Sequence, residues 1–93
     1  MSRFMVRVEL HHGSEAHYVR LHQLMAAHGL LRYIENQSGG KCWLPPAEYT
    51  IVTNAAANDV KGMAKVCAAA LGLRFAVVVT EANSVIWEGL QAA

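Results

Sequence analysis

The stretch Phe4-Met5-Val6-Arg7-Val8-Glu9-Leu10-His11-His12-Gly13-Ser14-Glu15 decides the fold. Its first seven residues alternate. Phe4, Val6, Val8 and Leu10 share one side; Met5, Arg7 and Glu9 share the other. Side chains of a strand point in turn to its two faces, so the pattern predicts a half-buried strand over 4–10. His11-His12-Gly13 ends it. Ser14 is placed to cap a helix, because its hydroxyl can accept an orphan N–H of the first turn. Glu15 suits the positive end of the helix dipole.

Downstream, Tyr18, Leu21, Leu24, Met25 and His28 recur at helical spacing and predict an amphipathic helix over 15–28. Gly29 is the expected left-handed C-cap. Leu30 to Glu35 reads as a second strand, and Asn36-Gln37-Ser38-Gly39-Gly40 is the strongest turn signal in the chain. Pro45-Pro46 sets an extended backbone. Glu48 to Thr53 reads as a third strand, with Tyr49, Ile51 and Thr53 opposite Thr50 and Val52. Asn54 or Asn58 is the expected cap of a second helix. Its inner stripe is Val60, Met63, Ala64, Cys67 and Leu71, and Gly72 ends it. Arg74 to Thr80 favours a fourth strand. Glu81 to Ser84 turns the chain into a tail, residues 84–93, extended around Val85-Ile86-Trp87.

The order is βαββαβ. Right-handed crossovers that fold both helices onto one face predict an α+β, ferredoxin-like sandwich: a four-stranded antiparallel sheet with two helices on one side. Ninety-three residues make a single domain, residues 1–93.

Charged residues are only 16% of the chain against 54% hydrophobic. A usual domain has about 25% charged. The shortfall predicts an apolar surface patch and self-association. Trp87, on a tail able to pair with a neighbour's sheet edge, is the expected homo-oligomer contact. A net charge of +1 neither requires nor forbids nucleic acid. Two cysteines, Cys42 and Cys67, are too few for a disulfide-stapled secreted domain. The N-terminus lacks an export signal, and no apolar run reaches the roughly 18 residues that cross a bilayer. The expectation is a cytoplasmic chain without membrane contact.

Five histidines invite a search for chemistry. His17, His22 and His28 are five and six residues apart, which puts no two on one helix face, and His11 and His12 are adjacent. The spacing predicts no metal site and no cofactor. Metal-free RNA cleavage needs one group to take the 2′-hydroxyl proton, one to protonate the leaving oxygen and a cation near the phosphate. His11 and His12 stand beside the N-terminus of the first helix, which with Ser14 can hold a phosphate. Arg7 and Glu9 lead to that junction on the open sheet face. The plainer reading, ordinary loop histidines, stays open. Base stacking on the open face is not expected, because strands 1 and 3 offer it no aromatic ring. Trp43, Trp87 and Tyr33 read as packing residues.

The run Tyr18-Val19-Arg20-Leu21-His22-Gln23-Leu24-Met25 resembles helix 1 of the GhoS family, the RNA-cleaving antitoxins of type V toxin–antitoxin systems. The likeness continues through Gly39, Leu44 and Tyr49-Thr50-Ile51-Val52-Thr53 and spans most of residues 4–85. The resemblance implies a ferredoxin-like fold and a metal-independent endoribonuclease acting on a toxin transcript. It also implies that Arg20 and His22 engage RNA phosphate. Position 22 carries histidine where a member of that family has arginine. Histidine keeps proton-transfer ability but lacks the permanent charge and bidentate fork. The other reading is a non-catalytic, homo-oligomeric ferredoxin-like binding module.

Overall fold

The computed structural model describes residues 1–93. The elements are β1 (Ser2–Leu10), α1 (Glu15–Ala27), β2 (Tyr33–Glu35), β3 (Lys41–Trp43), β4 (Glu48–Thr53), α2 (Ala57–Ala69) and β5 (Phe75–Ala82). β1 lies between β4 and β5 in a three-stranded antiparallel sheet of order β4-β1-β5. Its register pairs Val6 with Tyr49 and with Val79, so the alternation read in β1 aligns three inward rows.

Those rows meet the helices. Phe4, Val6, Val8, Leu10 and Tyr49 join Leu21, Met25, Val60, Ala64, Cys67 and Ala68 in one buried cluster. Each large side chain moved from water into it contributes about 1.5–3 kcal/mol. α2 packs on β1 and β5, and α1 packs against α2. The predicted stripe of α2 holds, with Met63 and Leu71 at its margin. On α1 the stripe ends earlier than expected. His28 is exposed and forms the C-cap, and Gly29 follows at φ +82° as the left-handed residue.

One cap differs from expectation and one matches it. Neither Asn54 nor Asn58 caps α2. Ala56 occupies that position and makes no side-chain cap bond; instead its N–H donates to Asp59 Oδ2 at 3.3 Å. On α1 the expected cap Ser14 is present, and its partner is a histidine. The backbone N–H of His17 donates to Ser14 Oγ, and the N–H of Ser14 donates to His17 Nδ1 at 3.0 Å. This is a capping box in which an imidazole stands where glutamate or glutamine is usual.

The second predicted strand divides. Its start touches the main sheet at one residue: Leu31 and Thr50 exchange both backbone hydrogen bonds at 2.8 Å. Its end, β2, turns away to pair with β3 in a separate two-stranded antiparallel sheet. The Asn36–Gly40 turn joins the two strands, with Asn36 Oδ1 accepting from the N–H groups of Ser38 and Gly40. The architecture is therefore α+β with two helices, a three-stranded and a two-stranded antiparallel sheet.

The tail completes the smaller sheet. Trp43 N–H donates to Gln91 C=O and Ala93 N–H to Lys41 C=O, so the chain end pairs beside β3. Cys42 pairs with Ala92 as a single bridge. Gln91 and Ala93 make these bonds within their own chain, while the stretch around Trp87 makes no backbone bond.

Candidate functional site

β4 is shorter than the strand it pairs with, and this creates the site. Pro45 and Pro46 carry no N–H, and Ala47 is left-handed at φ +65°, so regular pairing begins only at Glu48. One further bond, from Val8 N–H to Ala47 C=O, extends the ladder. Beyond it the edge of β1 is bare. The next N–H on that side, Leu10, finds Tyr18 of α1, whose phenol oxygen accepts it at 3.0 Å.

The gap is a hollow of about 560 Å³ lined by Arg7, Glu9, Tyr18, His22, Arg32 and Pro46, among others. β1 supplies Arg7 and Glu9. α1 supplies Tyr18 and His22, four residues apart on one helix face. Arg32 enters from the segment after Leu31. Its guanidinium is fixed by the carbonyls of Pro45, at 2.8 Å, and Glu48, at 2.7 Å, and lies 5.8 Å from the centre of the Tyr49 ring. Burial lowers the Arg32 pKa from its usual value.

Behind the hollow, His22 Nδ1 is 2.6 Å from the hydroxyl of Tyr49. Tyr49 is fully buried, and burial pushes its pKa up, so the phenol keeps its proton. Burial and then the Arg32 charge lower the pKa of His22, which keeps the imidazole neutral. His22 is the phenol's one hydrogen-bond partner. The consistent assignment is therefore Tyr49 O–H donating to Nδ1, which leaves the proton of the ring on Nε2.

The residues singled out in the sequence divide into two groups. Arg7 and His22 line the same hollow. His11 stands at its rim through Glu9, with Nε2 3.6 Å from Glu9 Oε1. His12 is exposed in the β1–α1 turn at φ +59°, a conformation histidine tolerates better than most residues. Ser14 spends its N–H and hydroxyl on His17. Arg20 lies outside the hollow, exposed, and donates to Gln23 at 3.3 Å. No group of three or more His, Cys, Asp or Glu side chains converges.

Tyr18, Arg32 and Tyr49 were not singled out in the sequence. Tyr49 left one legible signal: a buried tyrosine hydroxyl must find a partner, and the inward phase of Tyr49 was readable from strand alternation. Arg32 left none, since its role depends on the carbonyls of Pro45 and Glu48, one before β4 and one at its start. No protein-family model matches this chain, and no curated protein matches it. No helix is long and apolar enough to cross a membrane.

Proposed function

We propose that this chain is a GhoS-like, cytoplasmic RNA-interacting protein that cleaves single-stranded RNA without a metal. The observation that carries the reading is the hollow at the bare edge of β1, lined by Arg7, Glu9 and His22, whose pKa burial lowers, with His11 Nε2 3.6 Å from Glu9 Oε1. In this reading Arg7 and the Nε2–H of His22 take the non-bridging phosphate oxygens. Donors placed where charge develops on phosphorus favour the pentavalent transition state. One of His11 and His12 takes the 2′-hydroxyl proton as the 2′-oxygen attacks phosphorus. The other protonates the departing 5′-oxygen. Glu9 orients His11. Arg20 and Ser14 lie along the outer path of the strand.

The same reading treats the fold as ferredoxin-like with a broken edge strand. Leu31 marks where a fourth strand would pair with β4, and the chain then leaves to form the β2–β3 hairpin. The test is a fragment assay with purified protein, single-stranded RNA and EDTA. Cleavage by the wild type that drops at least about tenfold in His22→Ala supports the reading. No cleavage, or equal cleavage by both proteins, sinks it.

A second reading, a non-catalytic homo-oligomer, is favoured by Val52 and Val78, 48% and 60% exposed on the open sheet face. Light scattering of the full chain and of a chain lacking residues 84–93 tests it. A monomeric mass for both removes this reading. A dimer unchanged by the truncation assigns assembly to the sheet face, away from Trp87.

A further inference from the structure

A second hollow lies at the opposite end of β1, about 480 Å³ in volume, between Arg3, the tip of the β2–β3 hairpin and the tail. That size falls within the range of small-molecule sites, about 300–1,000 Å³. Its outer wall is a strap. Residues 83–90 make no backbone–backbone hydrogen bond, and the chain is clasped again only where Gln91 and Ala93 bond to β3. Trp87 is half-buried on this strap and is the one aromatic ring lining the hollow.

Glu35 also lines the hollow, and its carboxylate is paired with Lys41 Nζ at 3.9 Å; other polar groups on the wall keep free donors or acceptors. Asn36 Oδ1 is occupied by the hairpin turn, which fixes the amide and leaves its Nδ2 to donate. Gln37 and Asn83 make no side-chain hydrogen bond, and both line the hollow. Arg3 is held in place through Nη1, which donates to the Oγ1 of buried Thr50 at 2.7 Å. It has no carboxylate partner: Glu9 lies against His11 and Glu35 against Lys41. A fixed, unneutralised cation, a flat indole and free amides around one cavity match a ligand with an anion, a planar face and a hydrogen-bonding edge.

We propose that this hollow binds one unpaired nucleotide, its base against Trp87, its base edge toward Asn36, Gln37 and Asn83, and its phosphate beside Arg3. The nucleotide comes either free in solution or as one unit of a single-stranded RNA. The site is separate from the His22 hollow and stands whether or not that hollow cleaves RNA. An aromatic platform tolerates every base, so discrimination between bases falls to the amides.

The experiment is an amide-resolved NMR titration of the full chain with the four ribonucleoside 5′-monophosphates, the matching nucleosides and a single-stranded hexanucleotide. Affinities are then measured by calorimetry for the wild type, Arg3→Gln, Trp87→Ala and the more conservative Trp87→Leu. The expected result is saturable shifts at Arg3, Gln37, Asn83 and Trp87, with affinity at least tenfold lower in Arg3→Gln and in a Trp87 variant that retains the native spectrum. Shifts produced by monophosphates assign a free-nucleotide site; shifts at these residues produced by the hexanucleotide alone assign an RNA subsite. No shifts here with any probe, or affinities unchanged in Arg3→Gln and Trp87→Leu, would overturn the proposal. So would shifts confined to Arg7 and His22, an outcome that leaves the cleavage reading intact.

Discussion

His22 Nδ1 and the Tyr49 hydroxyl lie 2.6 Å apart, joining a half-buried position of α1 to the buried face of β4. The two rings are tilted by 57°, so the contact is a hydrogen bond in line with neither stacked nor edge-on packing. It fixes which nitrogen of His22 meets the hollow. A phenol that stays protonated donates; an imidazole that stays neutral accepts and turns its N–H outward.

Stability depends on pH through this histidine. Its folded pKa lies below the ordinary value of 6.5 because of burial and then Arg32. Below 6.5 the unfolded chain therefore binds the proton more readily than the folded one. The contribution is fully present above 6.5 and is lost as pH falls through the lower folded value. Chemical denaturation between pH 7.5 and 5 should show falling stability with acid, and His22→Gln should flatten that part of the curve. A slope identical in the two proteins would contradict the assignment.

Tyr49→Phe keeps the ring and deletes the donor. It should cost about 1 kcal/mol, the usual net worth of one hydrogen bond. Ring nitrogen shifts should report the Nε2–H tautomer in the wild type and a mixture in the variant. A wild type with its proton on Nδ1 would overturn the assignment.

Tyr18→Phe should leave the Leu10 N–H without an acceptor. The expected loss is about 1–3 kcal/mol, with faster amide exchange at Leu10. Gly13→Ala should give the same exchange signature by another route. A Cβ there would lie 2.7 Å from Leu10 Cβ and 3.2 Å from Tyr18 Cε2, so Leu10 must shift and the Tyr18 ring must give by a few tenths of an ångström. Unchanged Leu10 exchange in both variants would refute this account of the strand edge.

Ser14→Ala should destabilise by about 1 kcal/mol, as the loss of a cap does. Ser14→Asn should restore most of it. Equal stability of wild type and Ser14→Ala would show that the His17 imidazole holds the turn alone.

Legibility of the fold followed interaction range. Strand β1 and both helices were readable because their inward residues repeat at one period over many positions. The hairpin was half readable. Its turn announces itself in Asn36–Gly40, but β3 is only Lys41-Cys42-Trp43, too short for any period to register. The break after Leu31 was hidden, since nothing within Leu30–Glu35 distinguishes one strand from two. The tail was read as extended, yet its pairing with β3 is a contact across half the chain. Arg7 was singled out from strand alternation, His11 from its place at the strand–helix junction and His22 through the resemblance of helix 1; Arg7 and His22 line the hollow, and His11 lies 3.6 Å from Glu9. Arg32 and Tyr18 were not singled out, because each acts on backbone atoms exposed by the short start of β4. His17 was passed over because a histidine in a capping box looks like any surface histidine.

The most direct test of the cleavage account is the chemistry of the product ends. A defined single-stranded RNA is incubated with the full chain in EDTA and its fragments are resolved by mass. The account predicts 2′,3′-cyclic phosphate and 5′-hydroxyl ends, no reaction on the 2′-O-methyl RNA, and at least about tenfold slower cleavage by His22→Gln. Intact RNA, cleavage of the 2′-O-methyl strand, or fragments with 5′-phosphate ends would contradict it.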